Sequence, residues 1–160
     1  MSDPPIRRAV VVPLAPEEAF RLFGPGLASW WPREYTWGHD ALETIAIEPH
    51  EGGLCHERGP HGFRSDWGRV LAWEPPERLA FTWQIGPGRE PVPDPARASA
   101  VEALFVAKAE ATRVELEHRG FERHGEGGQG YRAALDSEQG WPYILDRYAA
   151  AAGTRGDAEG

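Results

Sequence analysis

Two polar residues stand out as able to do chemistry, His118 and Glu57. His118 alternates with Val114 and Leu116 in the run 112–120, so the period of a half-buried strand points all three inward. An inward imidazole can pass a proton or orient a ligand near neutral pH. Glu57, on the third strand, can share the same interior, and a paired Glu and His would serve proton abstraction or a cyclisation. The plainer reading of His118 is a core histidine whose nitrogens are satisfied by neighbours, since a buried polar group needs partners with or without catalysis.

The second feature is seven tryptophans in 160 residues. Indoles bring large contact area and one donor each. Trp83, Phe105 and His118 face inward by strand parity, and Trp141 comes from a helical stripe. Phe81 shares the face of Trp83, and Leu145 shares the stripe of Trp141. Trp30, Trp31 and Trp37 lie near short helices, where the mouth of a cavity would be. The candidate ligand-binding set is therefore Trp30, Trp31, Trp37, Glu57, Phe81, Trp83, Phe105, His118, Trp141 and Leu145. The alternative is that the rings simply fill a core.

Other patterns are excluded on spacing. Cys55, His56 and His61 match no zinc pattern, and adjacent strand residues point to opposite faces, so no metal and no other cofactor is expected. Gly125 to Gly130 fits a dinucleotide fingerprint in form, but too little chain follows for a second parallel strand. A hinge into the last helix is the better reading. There is no nucleophile elbow and no phosphate loop. The tripeptide Arg155-Gly156-Asp157 reads as a coincidence of the tail.

These residues must be positioned by strands and helices in a definite order. Residues 6–13 form a β-branched first strand. Pro16, Glu17 and Glu18 open a helix that Gly24 can stop, and residues 27–31 suggest a second short helix. Strands follow at 42–48 and 54–58. Residues 66–85 then read as a hairpin about Pro75-Pro76, with Leu79, Phe81, Trp83 and Ile85 on one face. A proline-rich loop at 86–95 precedes strands at 98–109 and 112–120. From Tyr131 the period turns helical, with Ala134, Leu135, Trp141, Ile144, Leu145, Tyr148, Ala149 and Ala152 in one stripe and a kink or restart expected at Pro142. The expected architecture is α+β, a curved antiparallel sheet of about seven strands with one long C-terminal helix across it. One domain covers 1–152, followed by a polar, flexible tail at 153–160.

In this order the motifs resemble the START-like or SRPBCC superfamily, the helix-grip fold, in the branch of activator of heat-shock-protein-90 ATPase homologues. The marks are Pro16-Glu17-Glu18-Ala19-Phe20, Trp30-Trp31, Glu48-Pro49 with Gly52-Gly53, and Gly68-Arg69-Val70-Leu71. They continue with Pro75-Pro76-Glu77-Arg78-Leu79, Phe81-Thr82-Trp83, His118-Arg119-Gly120-Phe121 and Gly140-Trp141. The resemblance covers residues 6–152. It implies a deep, largely apolar cavity between sheet and helix. It also implies three functions: binding a small hydrophobic molecule, a polyketide-cyclase or aromatase type of enzyme, for which His118 and Glu57 are the candidates by their own chemistry, or a module that meets a chaperone ATPase. The family shares no catalytic motif, so whether a reaction occurs is left open.

Composition narrows the partners. A formal net charge of −8 argues against nucleic acid and against an anionic membrane surface. No run approaches the ~18 apolar residues of a membrane span. One cysteine cannot form an internal disulfide, and the start Met1-Ser2-Asp3 does not read as a signal peptide, so a cytoplasmic location is expected. A small hydrophobic molecule is the expected partner, with a homodimer or a chaperone as further options.

Overall fold

The computed structural model describes the backbone of residues 4–159 and the side chains of residues 4–153. The Met1-Ser2-Asp3 start and the side chains of Arg155-Gly156-Asp157 lie outside the described residues. Seven strands form one antiparallel sheet in the order β1-β7-β6-β5-β4-β3-β2. They are β1 (Ile6–Val12), β2 (Thr44–Ile47), β3 (Leu54–Arg58), β4 (Arg64–Glu74), β5 (Arg78–Trp83), β6 (Ser99–Lys108) and β7 (Ala111–Arg119). Three α-helices accompany them: α1 (Pro16–Phe23), α2 (Gly128–Leu135) and α3 (Trp141–Glu159).

The order follows from local chemistry. Pro16 opens α1, Glu17 and Glu18 face its positive end, and Ala19, Phe20, Leu22 and Phe23 are its buried face. The expected second helix is only a 3₁₀ turn, Leu27–Ser29. Gly68, opposite Cys55, takes no side chain because a β-carbon there would strike the Thr82 carbonyl and the Cys55 side chain. Two register shifts, at Cys55/His56 and between Val70 and Ala72, bend the β3–β4–β5 wall.

The helical stripe is divided differently from the sequence expectation. Residues 136–140 separate α2 from α3, so there is a full break rather than a kink at Pro142. A β-carbon on Gly140 would meet the Leu135 backbone, which lets α3 start close against the end of α2. Trp141, Ile144, Leu145, Tyr148 and Ala152 then lie on one buried face of α3 at helical spacing. The helix runs on through 153–159, which composition alone reads as a tail.

The space between helices and sheet has a filled half and a hollow half. In the filled half, Phe20, Phe23, Trp30, Phe105 and Tyr148 touch edge to face or tilted, at 5.1–5.7 Å between ring centres. The Tyr148 hydroxyl donates to the Ala19 carbonyl and the Trp30 indole to Leu22, tying α3 and the 3₁₀ turn to α1. Each such ring contributes about 1.5–3 kcal/mol by burial, and each well-set aromatic pair about 0.5–1.5 kcal/mol more.

Candidate functional site: an aromatic cavity between sheet and helices

The hollow half is a cavity of about 490 Å³. Its floor is sheet: Ile45 from β2, Glu57 from β3, Trp67 from β4, and Trp83 with Ile85 from β5 and its end. One side is the segment after the 3₁₀ turn, with Trp31, Tyr35, Thr36, Trp37 and His39. The other side is α2 and the break after it, with Tyr131, Ala134, Leu135, Ser137, Gln139 and Gly140, then Ile144 of α3. Arg89, from the proline-rich loop, stands in the wall, the one lining arginine among the described residues.

The rings are fixed by one another. Trp31 stacks on Trp67 at 6.0 Å and 22°, tilts over Trp83 at 6.1 Å, and meets the edge of Trp141 at 6.2 Å. The Trp83 indole donates to the Tyr131 hydroxyl at 2.6 Å, and that hydroxyl donates on to the Ile85 carbonyl at 2.9 Å. Burial pushes the Tyr131 pKa up to about 12, against the opposing pull of the Trp83 bond, so the phenol stays neutral. The Trp67 indole N–H is buried with no acceptor among the described residues.

Glu57 is 2% exposed, and its two oxygens accept from the backbone N–H groups of Trp37 and Gly38, each at 3.0 Å. The carboxylate therefore ties the 36–38 segment to β3 while bordering the cavity. Three further bonds stitch the rim. The Trp37 indole donates to the Arg89 carbonyl at 2.8 Å, and the Tyr35 hydroxyl to the Gln139 carbonyl at 2.7 Å. Thr36 accepts from the His39 N–H at 3.1 Å, closing the turn between them. The Arg89 guanidinium lies over the Tyr35 ring, 5.9 Å from its centre.

Four of the ten residues expected from sequence meet at this cavity: Trp31, Trp37, Glu57 and Trp83. The other six lie behind it. Trp30 and Phe105 belong to the filled half, and Phe81 is covered edge-on by Trp67. Leu145 is 3% exposed in the α3 core stripe. His118 and Trp141 are both 0% exposed and bind each other, the Trp141 indole donating to His118 Nδ1 at 2.9 Å. The other nitrogen of His118, Nε2, meets the Ser99 hydroxyl at 2.7 Å, and Ser99 in turn meets His124 Nε2 at 2.7 Å. Accepting at Nδ1 fixes a neutral ring that donates from Nε2. Burial first, and His124 second, hold the His118 pKa well below its ordinary value. His118 thus joins α3 to the sheet and does not reach the cavity.

Sequence reasoning missed Trp67, Tyr131, Tyr35 and Arg89. Trp67 precedes a glycine at a register shift, where strand alternation gives no direction, and Arg89 sits in a loop that periodicity cannot address. Tyr131 was visible as the first residue of the helical period. The glycine run before it is a turn: Gly127, at φ 91°, caps the start of α2. Cys55 is buried and its thiol is pushed up by burial. Among the described residues no group of three His, Cys, Asp or Glu is placed to hold a metal ion, and no helix is long and apolar enough to cross a membrane.

A curved antiparallel sheet closed by a long terminal helix, with a cavity between them, defines the helix-grip class. The chain belongs to the family of Activator of Hsp90 ATPase homolog 1-like proteins, whose model matches residues 15–153. It is similar to the solved structure of an anthrahydroquino-γ-pyrone synthase, Txn09, at 38% identity and TM-score 0.65, covering 93% of this chain and 97% of that one. It is also similar to CalC, a self-sacrificing resistance protein from Micromonospora echinospora, at 26% identity and TM-score 0.64, covering 99% and 97%. The Aha1 dimer from Colwellia psychrerythraea shares the fold, at 13% identity and TM-score 0.61 over 94% and 96% of the two chains. No curated protein matches the chain.

Proposed function

We propose that this protein binds a planar, fused-ring aromatic molecule of polyketide type between the sheet and the α2–α3 segment. The observation that carries this reading is the cavity wall itself: Trp31, Trp37, Trp67, Trp83, Tyr35 and Tyr131 around about 490 Å³. That volume lies in the range of small-molecule sites, and broad rings with a few polar groups are how such sites are built. Burying ~300 Å² of apolar ligand surface would contribute about 7.5 kcal/mol before ordering costs, which suits micromolar affinity. The likeness to a synthase of fused-ring pyrones supports the polyketide class.

The test is titration of the purified protein with fused-ring aromatics, read by tryptophan quenching. Saturable quenching is expected. Ala134→Trp, which adds bulk to the cavity from an exposed helix position, should remove the quenching while the circular dichroism stays unchanged. Absence of saturation in the parent protein, or undiminished binding in that variant, would overturn the reading.

The likeness to a synthase and the presence of one carboxylate beside the cavity favour a second reading, in which the protein closes a ring. Pyrone closure adds a hydroxyl oxygen to a carbonyl carbon and then loses water. The hydroxyl proton passes to the carbonyl oxygen, and the departing hydroxyl takes a second proton from the carbon next to the new C–O bond as the ring double bond forms, so closure needs a group that moves both protons in turn. Glu57 is the residue in position for that exchange. Glu57→Gln should abolish turnover of a linear aromatic precursor while binding persists, with stability measured alongside because the same oxygens hold the Trp37 and Gly38 N–H groups. Undiminished turnover would remove Glu57 from the mechanism. A chaperone or second-copy partner has the family name and a fold likeness behind it, and a cytoplasmic location fits either reading.

A further inference from the structure

We infer that the ligand of this cavity carries a carboxylate at the end nearest the 86–91 loop, and that Arg89 is the residue that recognises it. The inference rests on the binding reading above. The first observation is position. Arg89 borders the cavity, its guanidinium lies over the Tyr35 ring, and among the described residues no carboxylate pairs with it. Stacking on a ring leaves the edge of the guanidinium plane free, and that edge carries the paired N–H groups that fit a carboxylate.

The second observation is backbone conformation. Arg89 has φ 66°, a left-handed geometry that suits glycine and disfavours an arginine. The turn itself is closed by the Gly86 N–H to the Glu90 carbonyl at 2.7 Å and the Arg89 N–H to the Gly86 carbonyl at 2.9 Å. The bond from Trp37 also ends on the Arg89 backbone. None of these uses the Arg89 side chain, whose guanidinium lies instead on the Tyr35 face at the cavity border, so the turn itself does not call for arginine at a strained position. A side chain kept at such a cost, at the border of a cavity, points to ligand recognition.

The third observation is charge. Of the acidic groups nearby, Glu57 is held by two backbone N–H groups on the sheet floor, Glu34 accepts from the Tyr143 hydroxyl, and Glu90 lies over Gly86 within electrostatic reach of Tyr131. In a chain of net charge −8, an anionic ligand needs a local cation, and Arg89 supplies it.

The experiment compares anthracenecarboxylate with its neutral carboxamide, by tryptophan quenching, in the parent protein and in Arg89→Gly. The parent should prefer the carboxylate by about fivefold at low salt, and the preference should shrink as salt rises. In Arg89→Gly the ratio of the two affinities should fall to about one, while the melting temperature stays level or rises because glycine relieves the strained φ. A parent protein with no preference for the carboxylate, or an Arg89→Gly variant that keeps the parent's ratio, overturns the inference and leaves the binding reading standing. If neither probe binds the parent, the binding reading fails and this inference fails with it.

Discussion

At the scale of single residues, His118 decides the most. Its alternation with Val114 and Leu116 gave its direction correctly: all three are buried. Its partners were not legible, because Ser99 pairs only through the β6–β7 register and Trp141 arrives from a helix 23 residues further on. A native pKa held below the ordinary 6.5 means that the unfolded chain binds the proton more readily. The stability linked to this site is therefore complete above about pH 6.5 and is lost as pH falls from there toward the native value. His124, also lowered chiefly by burial, adds in the same direction. His118→Asn should cost about 1–3 kcal/mol near neutrality through the Trp141 and Ser99 groups left poorly paired. It should also make urea midpoints fall less steeply between about pH 7 and pH 5 than in the parent. Parallel pH profiles for the two proteins would contradict this assignment.

At the scale of elements, the break between α2 and α3 separates what sequence could give from what it could not. Of the stripe legible from spacing, Trp141, Ile144, Leu145, Tyr148 and Ala152 are the buried face of α3, Leu135 and Ala149 are half-buried, and Ala134 is exposed on α2. Pro142 drew attention as the expected interruption, yet proline is tolerated in the first turn of a helix, and that is where it sits. The interruption falls before it, over residues 136–140. Those residues lend Ser137, Gln139 and Gly140 to the cavity, so the break forms part of the wall. Gly140→Ala should push α3 away from the Leu135 backbone and cost about 1–3 kcal/mol, measured by urea denaturation, with weaker quenching by the aromatic probes. A variant as stable as the parent would mean that the two helices do not need this close approach.

At the scale of the whole molecule, the order of strands and helices was readable from periodicity and turn residues, and the antiparallel sheet with its long final helix follows from them. The division of the interior into a filled and a hollow half was not. Both halves are aromatic, so composition cannot separate Trp30 and Phe105, which fill, from Trp31 and Trp83, which border space. The difference comes from which elements meet: α1 and α3 press on one half, while the other is spanned by the 31–39 segment, the 86–91 loop, and α2 with the break after it. Those segments are fastened in a particular way. Trp37 bonds to the main chain at Arg89, Tyr35 to the main chain at Gln139, and Tyr131 to the main chain at Ile85. A fastening that ends on a carbonyl does not depend on which side chain that residue carries. Substitutions at 85, 89 and 139 that keep the local backbone therefore leave these three fastenings in place, so what those side chains add to the lining is separable from what holds the walls together.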